Sequence, residues 1–171
     1  MAKTGKILVF LAAQFDEREF IYPYYRMLEA GYGVVVAGPK KETYKGKTTF
    51  EWPVDAAFSG VKEADFDALI IPGGFAPDKI RVEQGALQLV QAFKKAGKPI
   101  AMICHAGWVA ASAGAIKGVK LTSTKAIKDD LVNAGAVWVD KEVVVDQGFI
   151  TSRSPADLPA FTKALLKELG D

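Results

Sequence analysis

Apolar positions along this chain fall into two alternating patterns. Short aliphatic or β-branched runs at 6–11, 33–38, 68–72 and 99–104 have the nearly unbroken hydrophobicity of strands buried on both faces. Between them lie longer stretches of helical period. One runs from about 17 to 30 and stops at Gly31; another carries Leu87, Val90 and Phe93 on one face and stops at Gly97. Residues 44–54 alternate more loosely around Gly46 and Pro53, which predicts a β-ribbon outside the core. A short helix of small residues follows at 106–114. The remainder repeats the theme with weaker strands: 119–123, a helix at 127–134 ending at Gly135, then 136–140 and 143–153 around a turn at Asp146-Gln147-Gly148. Ser154-Pro155-Ala156-Asp157 predicts the start of the last helix, with Ser154 as N-cap, Pro155 at the first helical position and a carboxylate in the first turn.

Strand–helix alternation of this kind implies an α/β fold, a largely parallel sheet covered by helices on both faces. In such sheets chemistry sits beyond the carboxyl ends of the strands. With 171 residues and no linker, repeat or low-complexity stretch, the chain predicts one domain over residues 1–171.

Composition narrows the function classes. Half of the residues are hydrophobic and a quarter charged, as in a globular rather than a disordered chain. Lys and Arg number 22 against 20 acids, and no basic run stands out, so no electrostatic footprint for nucleic acid is present. The apolar runs are too short to span a bilayer, and the charged start at Met1 to Lys6 leads into a strand rather than a signal peptide. A cytoplasmic protein is expected. A single cysteine excludes an internal disulfide, and with a single histidine it excludes the usual four-ligand thiolate zinc site. No metal or cofactor is called for.

The one cysteine and the one histidine are neighbours, Cys104-His105, at the end of an apolar strand and the start of a helix. That junction would expose the sulfur and aim helix amides at it, lowering the thiol pKa. A free cysteine is otherwise most often a small buried hydrophobe, and a histidine here could simply cap the helix. His105 titrates near neutrality and could accept the proton of Cys104, though consecutive residues need not face each other. Gly73-Gly74, after the run 68–72, would let the backbone approach a ligand with amides free to hold an oxyanion. Asp16, Glu17 and Glu19 follow the first strand at the same edge, where acids usually cap or solvate a helix start.

These residues resemble the ThiJ/PfpI superfamily, most closely its PfpI-like intracellular protease and deglycase branch. The likeness rests on 71–74, 101–105 and Glu19 four residues before Pro23, and continues through 15–20, 127–130, 133–135, 143–146 and 152–157. It implies a flavodoxin-like three-layer sandwich related to the class I glutamine amidotransferases, assembled as a homodimer or larger homo-oligomer. Position by position, Cys104 matches the family nucleophile at a strained elbow, and Glu19 the carboxyl that hydrogen-bonds its sulfur while protonated. His105 matches the adjacent histidine. Gly74 and the His105 amide match the oxyanion-hole positions, with Gly73 shaping the loop. Asp78 matches a Glu that orients the histidine from a neighbouring subunit, and is one methylene shorter. Ala106 stands beside the oxyanion hole where the family usually has Gly, and Thr124 where protease-branch relatives often carry Tyr.

The resemblance implies a stress-response enzyme acting through Cys104 on a small reactive dicarbonyl or its adducts, of the glyoxalase III or deglycase type. An intracellular cysteine peptidase is the alternative, ranked lower because it asks most of the altered histidine–acid geometry. The non-enzymatic alternative is a redox sensor or chaperone working through oxidation of Cys104. A flavin-binding module, suggested by fold class alone, is weaker still.

Overall fold

The computed structural model describes residues 5–171; residues 1–4, and with them most of the charged start, lie outside the described part. In chain order the elements are β1 (Lys6–Phe10), α1 (Glu17–Glu29), β2 (Gly33–Gly38), β3 (Thr43–Lys45), β4 (Glu51–Pro53), β5 (Ala56–Ala57) and β6 (Ala68–Ile71). There follow α2 (Ala76–Ile80), α3 (Gln84–Lys95), β7 (Ile100–Ile103), α4 (Gly107–Ser112), β8 (Lys120–Leu121), α5 (Lys128–Asn133), β9 (Val137–Trp138), β10 (Val143–Asp146), β11 (Phe149–Ser152) and α6 (Leu158–Glu168).

Seven strands form the central sheet in the order β10-β11-β7-β6-β1-β2-β5, parallel throughout except for β10, which runs against β11. The inner strands β6 and β7 are wholly buried, because helices cover both faces and leave no room for alternation. α1 packs on α6, while α3 packs on α4. Six phenylalanines, Phe10, Phe15, Phe20, Phe93, Phe149 and Phe161, are fully buried, each contributing on the order of 2 kcal/mol of hydrophobic stabilisation. Phe15 lies in the segment after β1, and its ring meets Phe20 edge-on at 5.4 Å, so the core itself anchors the segment leading into α1.

The expected mostly parallel α/β architecture is present, and the ribbon at 44–54 is the separate β3–β4 hairpin. Helix α1 stops as expected at Gly31, whose φ of 90° lets its N–H reach the Leu28 carbonyl and the next N–H reach that of Met27. Three readings need correction. The strands expected at 119–123 and 136–140 shrink to two residues each and pair with one another outside the central sheet. Thr122 leaves the ladder because its N–H goes to Thr151 Oγ1, and just beyond the expected strand the Thr124 N–H goes to the Cys104 carbonyl. The last helix starts at Leu158 after a tight turn, Pro155–Asp157, and Ser154 makes no side-chain cap. Asp157 turns inward instead and accepts the N–H and guanidinium of Arg153 at 2.9–3.0 Å. The short elements α2 and β5 carry no periodic signal and escaped the sequence reading.

Candidate active site

The carboxyl ends of β1, β6 and β7 lie side by side, as the register Ile7 with Ala68 and Leu69 with Ile100 requires. The segments leaving them therefore meet. Phe15 bridges Gly74, the Asp16 N–H reaches the Gly73 carbonyl at 3.2 Å, and the Phe75 N–H reaches Gln14 at 2.8 Å. Gly74 has a φ of +76°, and a Cβ there would come within 2.5 Å of the Asp16 nitrogen and the Gln14 oxygen. At Gly73 a Cβ would collide with the Glu19 carboxyl and the Cys104 side chain. The glycine pair is what allows three segments to close on one point.

Cys104 occupies that point. β7 ends in extended backbone at Ile103, and Cys104 then takes a φ of +62° before the chain turns into α4. For a residue with a Cβ this conformation costs about 1–2 kcal/mol and persists only because its surroundings impose it. One support is the Thr124 N–H, which holds the Cys104 carbonyl at 3.3 Å. The sulfur is partly buried and lies 3.2 Å from His105 Nδ1, so these neighbours do face each other. The backbone N–H groups of Gly74 and His105 also act on it, favouring its charged form.

Glu19, on the first turn of α1, is completely buried. Its Oε2 accepts the Gly73 N–H at 2.8 Å, while Oε1 is buried with no hydrogen-bond partner. Burial, and then the negative charge of Asp16, push its pKa up to about 7, against the pull of the Gly73 N–H, Cys104 and Lys47. Burial and the Glu19 charge push the Cys104 thiol up to about 12. This corrects the expected lowering by helix amides: those amides are present, but desolvation and a nearby carboxylate outweigh them. His105 is held below its usual value, by burial and then by Lys47. At neutral pH the resting site thus holds a thiol 3.2 Å from a neutral imidazole, beside a carboxyl that exchanges its proton near pH 7.

The three acids after β1 divide by role. Asp16 caps α1, accepting from the N–H groups of Arg18 and Glu19, and pairs with Arg18 at 2.8 Å and Lys47 at 3.5 Å. Burial alone would raise its pKa, but these partners hold it below the ordinary range. Glu17 takes the N–H and hydroxyl of Thr48 and pins the β3–β4 hairpin to α1. Only Glu19 points at the sulfur. Pro23, one helical turn on, has no N–H to give to the Glu19 carbonyl, so the α1 ladder is interrupted at that residue.

The DJ-1/PfpI family profile matches residues 5–168 of this chain. The protein belongs to the DJ-1/PfpI family. It is 43% identical over 164 residues to the deglycase PH1704 of Pyrococcus horikoshii, covering 96% of this chain and 99% of that one. It is 39% identical over 167 residues to the putative cysteine protease YraA of Bacillus subtilis, covering 97% and 99%. Among solved structures it superimposes with a TM-score of 0.96 and 37% identity on a two-domain protein of Anabaena variabilis with DJ-1/ThiJ/PfpI-like and ferritin-like domains. The match covers 98% of this chain and 48% of that one. The flavodoxin-like fold expected from the resemblance is the one observed.

Of the DJ-1/PfpI positions singled out from sequence, Cys104, His105, Glu19, Gly73 and Gly74 come together. Asp78 does not join them within the chain. It is exposed on α2, on the wall of an open cavity of about 500 Å³ with Gln14, Phe75, Lys79 and Trp108, and among the described residues no hydrogen bond links it to His105. Ala106 is fully buried in the hydrophobic core rather than lining that cavity. Its extra methyl therefore packs inward and leaves the cavity walls unchanged. Three residues were overlooked. Lys47, at the hairpin tip, lies over the Phe75 ring at 5.9 Å, and no local pattern announces it. Phe75 and Trp108 place their rings 6.2 and 5.2 Å from the imidazole. Trp108 had a signal: it stands three residues after His105, the spacing that aligns side chains in a tight helical turn. Among the described residues no cluster of three or more His, Cys, Asp or Glu could hold a metal ion, and no helix is long and apolar enough to cross a membrane.

Proposed function

We propose that the protein is a cofactor-independent, cytoplasmic cysteine enzyme that converts reactive dicarbonyls, or their reversible adducts, into hydroxy acids. Cys104 attacks the aldehyde carbon of a compound such as methylglyoxal while its proton passes to His105 Nδ1. The oxygen of the resulting hemithioacetal meets the N–H groups of Gly74 and His105. A base then removes the proton from the former aldehyde carbon and returns a proton to the neighbouring former ketone carbon. The first carbon is oxidised and the second reduced, leaving a thioester on Cys104. Water attacks that thioester, releasing lactate and restoring the thiol.

The observation that carries this reading is the Glu19 carboxyl, fully buried against the nucleophile with one oxygen unpartnered and a pKa of about 7. A group that gains and loses a proton near neutral pH beside the reacting carbon suits a transfer between adjacent carbons. The deglycase name of the Pyrococcus relative agrees with this chemistry.

A peptidase reading has the Cys104–His105 contact and the name of the Bacillus relative in its favour. Within one chain it lacks the acid that would orient His105 for leaving-group protonation, so it requires Asp78 to reach a neighbouring copy in a homodimer or larger assembly. The redox-sensor reading asks for a thiolate of low pKa, whereas burial and Glu19 hold this thiol high.

The test is methylglyoxal consumption with lactate detection for the wild type, Cys104→Ser and Glu19→Gln. Lactate formed by the wild type and lost in both variants supports the reading. Consumption without lactate, or no consumption, refutes it, and peptide hydrolysis and peroxide oxidation then become the assays of choice.

A further inference from the structure

Since Asp78 does not reach His105, something else must hold the imidazole against the sulfur. Two aromatic rings stand beside it. Phe75, at 6.2 Å, is exposed, and among the described residues only the Lys47 ammonium lies over its ring besides the imidazole. Trp108, at 5.2 Å and tilted by 54°, is tied down on its other sides. Its indole N–H donates to Asp130 Oδ2 on α5 at 2.7 Å, and the Arg81 guanidinium at the end of α2 lies over its ring at 5.3 Å. Arg81 is itself held by the Ser112 hydroxyl of α4 at 3.0 Å. Gly107 lets α4 lie close against α5, since a Cβ there would come within 2.9 Å of the Leu131 side chain.

We propose that Trp108 is the positioning residue of His105, an indole wall anchored by Asp130 and Arg81 that fixes the imidazole with Nδ1 toward Cys104. An aromatic wall holds a ring by contact and by edge-to-face attraction, without supplying the negative charge that would make the imidazole more basic. Such a support keeps His105 neutral and able to accept. The charged groups around the imidazole are Lys47 from the hairpin, Glu19 from α1 behind the sulfur, Asp78 and Lys79 from α2 across the cavity, and Arg81 and Asp130 behind the indole. None of them is hydrogen-bonded to the ring among the described residues, so contact with Trp108 and the Cys104 thiol set its orientation.

This role rests on the reading of His105 as proton acceptor, but its test reads the imidazole directly. His105 is the chain's single histidine, so ¹⁵N–¹H spectra of labelled protein report one imidazole and its tautomer. These spectra, and the rate of Cys104 alkylation by iodoacetamide at neutral pH, are compared for the wild type, Trp108→Phe, Trp108→Ala and Asp130→Ala. The wild type is expected in one dominant tautomer with the proton on Nε2, and Trp108→Phe, which keeps a ring face, stays within about twofold of its alkylation rate. Trp108→Ala is expected to give a tautomer mixture and an alkylation rate lower by about tenfold, the equivalent of one hydrogen bond lost. Asp130→Ala should move both readouts in the same direction.

A purely structural Trp108 would lower the melting temperature of Trp108→Ala while leaving tautomer and rate unchanged, and that result overturns the proposal. If Trp108→Ala fails to fold, an unchanged tautomer in Asp130→Ala does the same. A wild type that makes no lactate yet shows these imidazole changes refutes the dicarbonyl reading and leaves the positioning role standing.

Discussion

Replacing Glu19 by Gln tests the site through stability as well as activity. The two side chains have nearly the same shape, and the amide oxygen of Gln can still accept the Gly73 N–H that Oε2 now takes at 2.8 Å. What disappears is the ionisable group. In the unfolded chain a glutamate ionises near 4.5, whereas here burial, followed by the charge of Asp16, raises it to about 7. The folded state therefore keeps a proton that the unfolded chain gives up. Stability from this group is fully present below pH 4.5, falls as pH rises from 4.5 through 7, and levels off above that. At about 1.4 kcal/mol per tenfold change in affinity, the difference between 4.5 and 7 amounts to about 3 kcal/mol against the wild type at pH 8. Glu19→Gln should thus be more stable than the wild type by about 3 kcal/mol at pH 8, with the gap narrowing toward zero near pH 4. Urea unfolding of both proteins at several pH values measures it. At the same time, lactate formation should fall by roughly 10²-fold or more, the scale of a lost proton-transfer group. A stability difference that does not change with pH, or a variant less stable at pH 8, would refute the claim that the carboxyl is held protonated by burial. Stability gained as activity is lost is the trade expected of a strained, functional group.

Three further expectations follow from the same geometry. Gly74→Ala places a Cβ within 2.5 Å of backbone atoms of Gln14 and Asp16 at a φ of +76°, and should cost more than about 3 kcal/mol in urea unfolding and abolish turnover. Asp78→Asn should leave methylglyoxal turnover within about threefold of the wild type, because Asp78 lines the cavity without bonding His105; a loss beyond tenfold would show that it acts on the chemistry. Arg153→Met strips Asp157 of its two guanidinium bonds and leaves it the backbone N–H of residue 153, and should lower the urea midpoint at pH 7. That loss should shrink as pH falls through the Asp157 pKa, which Arg153 holds below the ordinary carboxylate range against the effect of burial.

The sequence alone determined the alternation that makes a parallel sheet, the edge at which chemistry gathers, and the cysteine, histidine and glycine pair that occupy it. These signals are local: hydrophobic period, a strand meeting a helix, and glycines where the backbone turns with no Cβ to spare. The end of α1 at Gly31 was legible for the same reason, since its bonds run to Leu28 and Met27 in the last turn. The start of α6 was not. Ser154 and Pro155 spell a helix start, but Asp157 is drawn inward by Arg153 and delays it to Leu158. What the tertiary structure decided is which acid matters and how the thiol titrates. Asp16, Glu17 and Glu19 look alike on paper, and only the fold ties one to Arg18 and Lys47, one to Thr48, and one to Gly73, fifty-four residues away. The Cys104 thiol sits high rather than low because desolvation depends on everything packed around it, whereas the helix amides that suggested the opposite are a property of the local chain. The indole beside His105 was overlooked although its three-residue spacing offered a signal, and its anchors, Arg81 at the end of α2 and Asp130 on α5, come from elements that only the fold brings against α4.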